Sequence, residues 1–257
     1  MKITFLGTSS GKTSSKRFHS SILFAFEEYN LLIDAGDGIS RSLINSGIKF
    51  NSIGGILFTH LHPDHFSGLP ALIVQMKMMN RKEPLEIFIH ESLVKVVQDF
   101  IIHSYLLPEK MGFEIRYKSF QENERLNITE KFSFTAKKNS HLRDLGKYQN
   151  KYASLSLYSA CFLFQLEGKK IIYTSDIGSD EDLFLFSKTN PELLISEVTH
   201  ISPLTLLEKI IQLKPDKVYL THYADEEIPA LNEIMANLPN SLKEKVILAV
   251  DHISFNF

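Results

Sequence analysis

Cysteine is nearly missing from this chain. Cys161 is the only one, so no intrachain disulfide can form. It falls within the apolar stretch Leu155 to Leu166 and reads as core rather than as a reactive thiol. Long hydrophobic runs are absent as well. No segment approaches the ~18 uninterrupted apolar residues of a membrane helix, and the apolar run in Met1 to Gly7 is too short for a secretory leader. Positive charge is not in excess: 28 Lys and Arg stand against 30 Asp and Glu, a formal net charge of -2. No basic stripe follows from that balance, which disfavours long RNA or DNA as a partner. A few lysines beside a site would still suffice to hold one phosphate. The expectation is a cytoplasmic protein that touches no membrane.

What is present is ordinary globular composition, 257 residues with 44% hydrophobic and 23% charged, enough for one large core or two fused halves. Short strands alternate with helices. Strands are expected near Ile3 to Leu6, Ser21 to Phe26, Asn30 to Ile33, Ile53 to Phe58 and Leu85 to Ile89. Helices are expected near Ile39 to Asn45, Leu69 to Met79 and Ser92 to Leu106. The alternation Lys131 to Ala136 predicts a half-buried strand. A hairpin follows, with strands Leu155 to Leu166 and Ile171 to Thr174 about the turn at Gly168. The remainder offers strands Leu193 to Ser196, Val218 to Leu220 and Val246 to Val250, with helices at Pro203 to Leu213 and from Ile228. No repeat or linker interrupts the pattern, so residues 1–257 read as a single α/β domain.

The densest chemistry lies in Thr59-His60-Leu61-His62-Pro63-Asp64-His65. Alternate residues of an extended chain point the same way, so His60 and His62 can grip one cation together. Pro63 keeps His62 out of helical geometry and turns the chain, letting Asp64 and His65 face a second cation. Further candidates recur at strand ends: His141, Asp176 and His222. Loops on one edge of a sheet converge in space. Imidazoles and carboxylates without thiolate suit zinc, with manganese or iron as alternatives.

These residues resemble the metallo-β-lactamase superfamily of binuclear metallohydrolases, in its ribonuclease Z-like and cyclic phosphodiesterase branch. Phe5-Leu6-Gly7-Thr8 matches the opening strand and loop, Leu31 to Gly36 the buried-aspartate motif, and Phe58 to His65 with Ser67-Gly68-Leu69-Pro70 the signature. Pro63 stands where the family usually has glycine. The resemblance implies a four-layer αβ/βα sandwich, classed α/β (α+β in some schemes), and two divalent metal ions. It assigns His60, His62 and His141 to one ion, Asp64, His65 and His222 to the other, and Asp176 to both. Asp34 would then fix a ligand loop from behind. A hydroxide shared by the ions is the implied nucleophile, with Asp64 orienting it.

His200 has the spacing to His222 that resembles the catalytic histidine of ribonuclease Z, and Glu197 would orient it. His90 and His103 read as structural, and His19 as part of a solvated loop. His252 has no nameable partner. Asp180 and Asp182 read as helix caps. Gly7 to Thr13 resembles a phosphate-binding loop but is one residue short of the required spacing. The interval from His141 to Asp176 is too short for the tRNA-gripping arm of ribonuclease Z. Its basic, aromatic loop, residues 142–152, offers Lys147 and Tyr148 to a phosphate and a base. The expected activity is therefore a metal-dependent phosphodiesterase on a small phosphodiester or nucleotide. Alternatives are tRNA 3′ processing, hydrolysis of a thioester or lactone, or a metal-loaded binding protein. A homodimer is left open.

Overall fold

The computed structural model describes the backbone of residues 1–257 and all side chains except those of Pro203 and Leu204. In chain order the elements are β1 (Lys2–Gly7), β2 (Ser21–Phe26), β3 (Tyr29–Ile33), α1 (Ile39–Asn45), β4 (Ile53–Leu57), α2 (Pro63–Phe66), α3 (Leu69–Met78), β5 (Leu85–His90), α4 (Val94–His103), α5 (Pro108–Met111) and β6 (Ile115–Phe120). There follow β7 (Arg125–Asn127), β8 (Phe132–Lys138), β9 (Ala160–Leu166), β10 (Lys169–Tyr173), β11 (Leu193–Glu197), α6 (Pro203–Leu213), β12 (Lys217–Thr221), α7 (Ile228–Ala236), α8 (Asn240–Lys243), β13 (Val246–Leu248) and β14 (Ser254–Asn256). The contacts gather into two compact units, one of residues 1–120 and 250–257, the other of residues 121–249.

Each unit holds one seven-stranded mixed sheet. The first has the order β14-β1-β2-β3-β4-β5-β6, the second β13-β12-β11-β10-β9-β8-β7. In the first, β1, β2 and β3 run antiparallel while β3 to β6 are parallel. The chain therefore leaves β1, β3 and β4 at the same sheet edge. In the second, β8 and β10 both run antiparallel to β9, and β10 to β13 are parallel. Hence β8, β10, β11 and β12 also release their loops at one edge.

Burial explains which runs became central strands. Leu31, Leu32 and Ile33 of β3 are all fully buried, as are Ile56 and Leu57 of β4, the continuous apolar pattern of strands covered on both faces. Each such side chain contributes roughly 1.5–3 kcal/mol through burial. In the second unit Cys161, Leu194, Val218 and Leu220 share one apolar cluster with Leu206 and Ile210 of α6 and Leu231 of α7. Cys161 is core, as its apolar neighbours suggested.

Several expectations need correction. Residues 132–134 are all buried rather than alternating; Ser133 is satisfied there by accepting from Arg125 Nε through Oγ at 2.9 Å. The strand expected from Leu155 begins only at Ala160. His90 is structural, as expected: it ends β5 and caps the 3-10 turn that follows, its Nδ1 accepting from Ser92 N at 3.3 Å. His252 does have partners, Ser46 Oγ at 2.7 Å and the Phe18 ring. His19 is half-buried and bridges to Ser9 rather than lying in a solvated loop. Among the described residues no helix is long and apolar enough to cross a membrane.

Candidate metal centre

In the first unit the site grows from the exit of β4. His62 keeps an extended backbone, φ -64° and ψ 146°, and Pro63 opens the single turn of α2. That switch from strand to helix gathers four candidate ligands within one turn of chain. The His60 ring centroid lies 4.7 Å from that of His62 and 4.2 Å from that of His65. His65 Nε2 is 3.7 Å from Asp64 Oδ2. His60 and His65 are fully buried and Asp64 nearly so.

Asp34, at the exit of β3, holds this arrangement from beneath. It is fully buried and accepts from Thr59 N and Thr59 Oγ1, each at 2.9 Å, and from His65 Nδ1 at 2.7 Å. Binding Nδ1 leaves His65 Nε2 as the donor atom, the usual way a carboxylate sets the tautomer of a ligating histidine. Burial pushes the Asp34 carboxyl above the ordinary range, and the contacts with His65 and Thr59 pull against that rise. Gly36 is required here by close approach: a Cβ would come within 2.1 Å of the Asp64 carbonyl oxygen.

In the second unit three strands contribute. Asp176, after β10, presents Oδ2 to His141 Nε2 at 3.7 Å and Oδ1 to His222 Nε2 at 3.3 Å. Asn139 donates through Nδ2 to the Asp176 carbonyl at 2.8 Å and accepts from His141 N at 3.2 Å, joining the loops after β8 and β10. Asp182 joins them a second time. Its carboxylate accepts from Ser140 N at 3.0 Å, Ser140 Oγ at 2.7 Å and Gly178 N at 2.9 Å. Reading Asp182 as a helix cap captured only its bond to Ser179 N at 3.2 Å.

Glu197, 1% exposed, closes the other side. It accepts from Ile177 N at 2.7 Å, Thr199 N at 2.9 Å and His200 N at 2.9 Å. The His200 Nδ1 atom lies 2.9 and 3.0 Å from its two carboxylate oxygens. His200 is 37% exposed, and its ring lies 4.9 Å from that of His141.

The donor set fits a divalent cation. Two ligands at ~2.1 Å from a tetrahedral zinc ion lie about 3.4 Å apart, close to the separations from Asp176 to His141 and His222. The separate oxygens of Asp176 suit a carboxylate shared by two ions. Asp34, Ser175 and His222 also hold positive φ, 59°, 51° and 57°, backbone that non-glycine residues seldom adopt and that gathers at functional sites. Nothing in one sequence signals those three φ values.

Lys147 and Tyr148 lie on an exposed 3-10 turn, residues 143–148, where Lys147 Nζ sits 5.1 Å from the Tyr148 ring centre. The adjoining cleft of the second unit, about 440 Å³, is lined by Arg143, Gly146 and Gln149 instead.

Known proteins resemble the chain over most of its length. It aligns with the ribonuclease Z of Pyrococcus abyssi at 28% identity over 241 residues, spanning 79% of this chain and 76% of that one. With the ribonuclease Z of Methanococcus maripaludis strain S2 identity is 37% over 134 residues, 47% and 44% of the two chains. Among solved structures, the metallo-β-lactamase fold protein YhfI from Bacillus subtilis superposes with a TM-score of 0.76 at 18% identity, covering 99% and 98%. The short form of human tRNase Z gives 0.74 at 23% identity, covering 100% and 99%. The chain thus has the α/β metallo-β-lactamase fold and is a ribonuclease Z-like, metal-dependent hydrolase. Residues 1–235 match the family model described as anti-Pycsar protein Apyc1. The chain belongs to that family.

Proposed function

We propose that this protein hydrolyses a small phosphodiester, such as a cyclic nucleotide or a sugar phosphate diester, in the cytoplasm. The two units would work as one catalytic domain. His60, His62 and His141 would hold one cation, Asp64, His65 and His222 a second, with Asp176 shared. The observation that carries this reading is Asp176, whose two oxygens meet two different histidines at 3.7 and 3.3 Å. When bound, the ions acidify water and neutralise charge building on a phosphoryl oxygen; zinc suits the donors best.

The protein's own groups supply the rest. Asp64 orients the attacking water. His200, its Nδ1 occupied by Glu197, keeps Nε2 to protonate the departing alkoxide. Asp34 holds His65 in the tautomer that leaves Nε2 for metal. The interval between His141 and Asp176 supports a small substrate, since it contains only the 143–148 turn and the β9–β10 hairpin. No long arm is present there to grip a tRNA body. Arg143 and Gln149 line the cleft beside this turn, and Lys147 and Tyr148 remain candidates at its outer face.

A second reading, tRNA 3′ processing, draws on the ribonuclease Z relatives. One experiment separates them. Metal content is measured first. Then bis(p-nitrophenyl) phosphate, 2′,3′- and 3′,5′-cyclic nucleotides, a tRNA precursor and a thioester are assayed side by side. Turnover of the small diesters, abolished in His60→Ala, Asp64→Ala and Asp176→Ala, is the expected result. Cleavage of the precursor with little on small diesters would reverse the ranking, and activity on the thioester alone would retire phosphodiester chemistry.

A further inference from the structure

The segment that resembled a phosphate-binding loop, Gly7 to Thr13, is not one: no helix follows it, and residues 11–20 run on as bends and irregular chain with one isolated bridge at His19. Its continuation nevertheless builds a pocket in the first unit, about 330 Å³, between the loop and α1. Three cationic side chains line it, Lys16, Arg17 and Arg41, against one carboxylate, Asp37. Three positive charges less one negative leave two positive charges, the complement of a phosphate dianion. Ser14 and His252 add polar lining. None of the seven candidate metal ligands belongs to this lining.

The lining is held in place before any ligand arrives. Asp251 accepts from Thr8 N at 2.9 Å, Thr8 Oγ1 at 2.7 Å and Phe18 N at 2.7 Å, pinning both ends of the loop to the strand edge before β14. Ser14 Oγ accepts from Lys16 N and Arg17 N, both at 3.0 Å, and shapes the tip. Arg17 Nη1 donates to the Thr8 carbonyl at 3.2 Å. The Arg41 guanidinium lies 5.6 Å from the Phe18 ring centre, and the His252 ring meets the same ring edge-on. Fixing the two guanidiniums in this way lowers the ordering cost that a bound anion must otherwise meet. Guanidinium forks with an ammonium and a hydroxyl are the donor set that phosphate oxygens take up best.

We propose that this pocket binds one phosphate dianion, free or as the monoester end of a small molecule such as a nucleoside monophosphate. It is separate from the metal ligands, so it adds an anion site to the hydrolase rather than a part of its reaction.

The test is calorimetric titration of the metal-loaded protein with inorganic phosphate, a nucleoside 5′-monophosphate and the parent nucleoside. Wild type is compared with Lys16→Ala/Arg41→Ala and with Arg41→Glu, after metal content and Tm show that each variant is folded. Phosphate can also bind at the metals, so the decisive quantity is the difference in stoichiometry. Wild type should take up one phosphate more per chain than either variant, with the affinity at that site weakened about tenfold or more by loss of charge-assisted bonds. Equal stoichiometry and affinity in all three proteins overturns the proposal. Phosphate binding without nucleotide binding assigns the pocket to the free ion, and tighter binding of the monophosphate assigns it to the monoester. A defect confined to tRNA, with phosphate and monophosphate binding intact, also overturns it, in favour of an RNA-facing surface.

Discussion

Replacing His200 by alanine should damage the enzyme in proportion to how badly the leaving group needs a proton. The two carboxylate oxygens of Glu197 sit 2.9 and 3.0 Å from His200 Nδ1 and leave Nε2 to carry the proton. A positioned general acid contributes typically 10²–10⁴-fold. A cyclic nucleotide releases an alkoxide, which cannot depart unprotonated near neutral pH, so His200→Ala should lose roughly 10²–10⁴ in kcat on that substrate. The nitrophenolate of bis(p-nitrophenyl) phosphate leaves without help, and there the loss should stay below about tenfold. Glu197→Gln removes the charge behind Nδ1 and should cost about 10- to 100-fold on the cyclic nucleotide. In the His200→Ala background the same change should add almost nothing, because Glu197 acts through His200. Glu197 also accepts from Ile177 N and Thr199 N, so metal content and Tm must accompany the kinetics. Equal losses on both substrates, or additive losses in the double variant, would refute proton delivery by His200.

Four further outcomes are expected. Asp34→Ala strips two donors of Thr59 and His65 Nδ1 of a buried partner, costing about 3–5 kcal/mol; calorimetry should show it as a Tm lowered by about 6–20 °C. Asp182→Ala unties Ser140 from Gly178 and should weaken zinc binding by roughly 10–100-fold, read by competition with a chromophoric chelator. Stripping the metals with a chelator should abolish turnover, and zinc or manganese should restore it. Burial pushes the Cys161 thiol far above its ordinary value. Native protein at pH 8 should therefore resist a thiol reagent that labels it at once in denaturant. The sign is that of an acid raised by folding. The unfolded thiol ionises first, so its contribution to stability is whole below the ordinary thiol range and falls away as pH climbs above it.

The candidate ligands stood out because strand ends and imidazoles coincide in sequence. His60 to His65 follow an apolar run, Asp176 and His222 each follow another, and His141 follows the alternating sequence of β8 and the polar residues Lys137 to Ser140. The central strands were legible for the same reason: Leu31 to Ile33 and Ile56 to Phe58 are apolar without interruption. Of the edge strands, β13 was, through the apolar run from Val246, but β6, β7 and β14 were not. β6 reads Ile115-Arg116-Tyr117-Lys118-Ser119-Phe120, charged as an edge strand is when it must discourage pairing with other chains, and that charge hides it from a hydrophobic pattern. β7 and β14 have three residues each, too few for any period to show. Asp182 and Asn139 were hidden differently. Their partners lie 42 and 37 residues away, at Ser140 and Asp176, and one sequence carries no mark of such a bond.

The supporting residues, those the sequence named and those it concealed, have one thing in common: they hold site side chains still without being metal ligands. Asp34 fixes the tautomer of His65, Glu197 that of His200, and Asp182 with Asn139 ties the loop of His141 to the loop of Asp176. Each is a buried acceptor or amide whose hydrogen bonds join separate segments of the chain, so each couples the accuracy of the metal geometry to the stability of the fold. A misplacement of about 1 Å can cost a site of this kind 10²-fold. Variants at these positions should therefore lose metal affinity before they lose secondary structure. The opposite order, with helix and strand signals failing while metal is still bound, would mean that the ions organise the loops rather than the loops the ions.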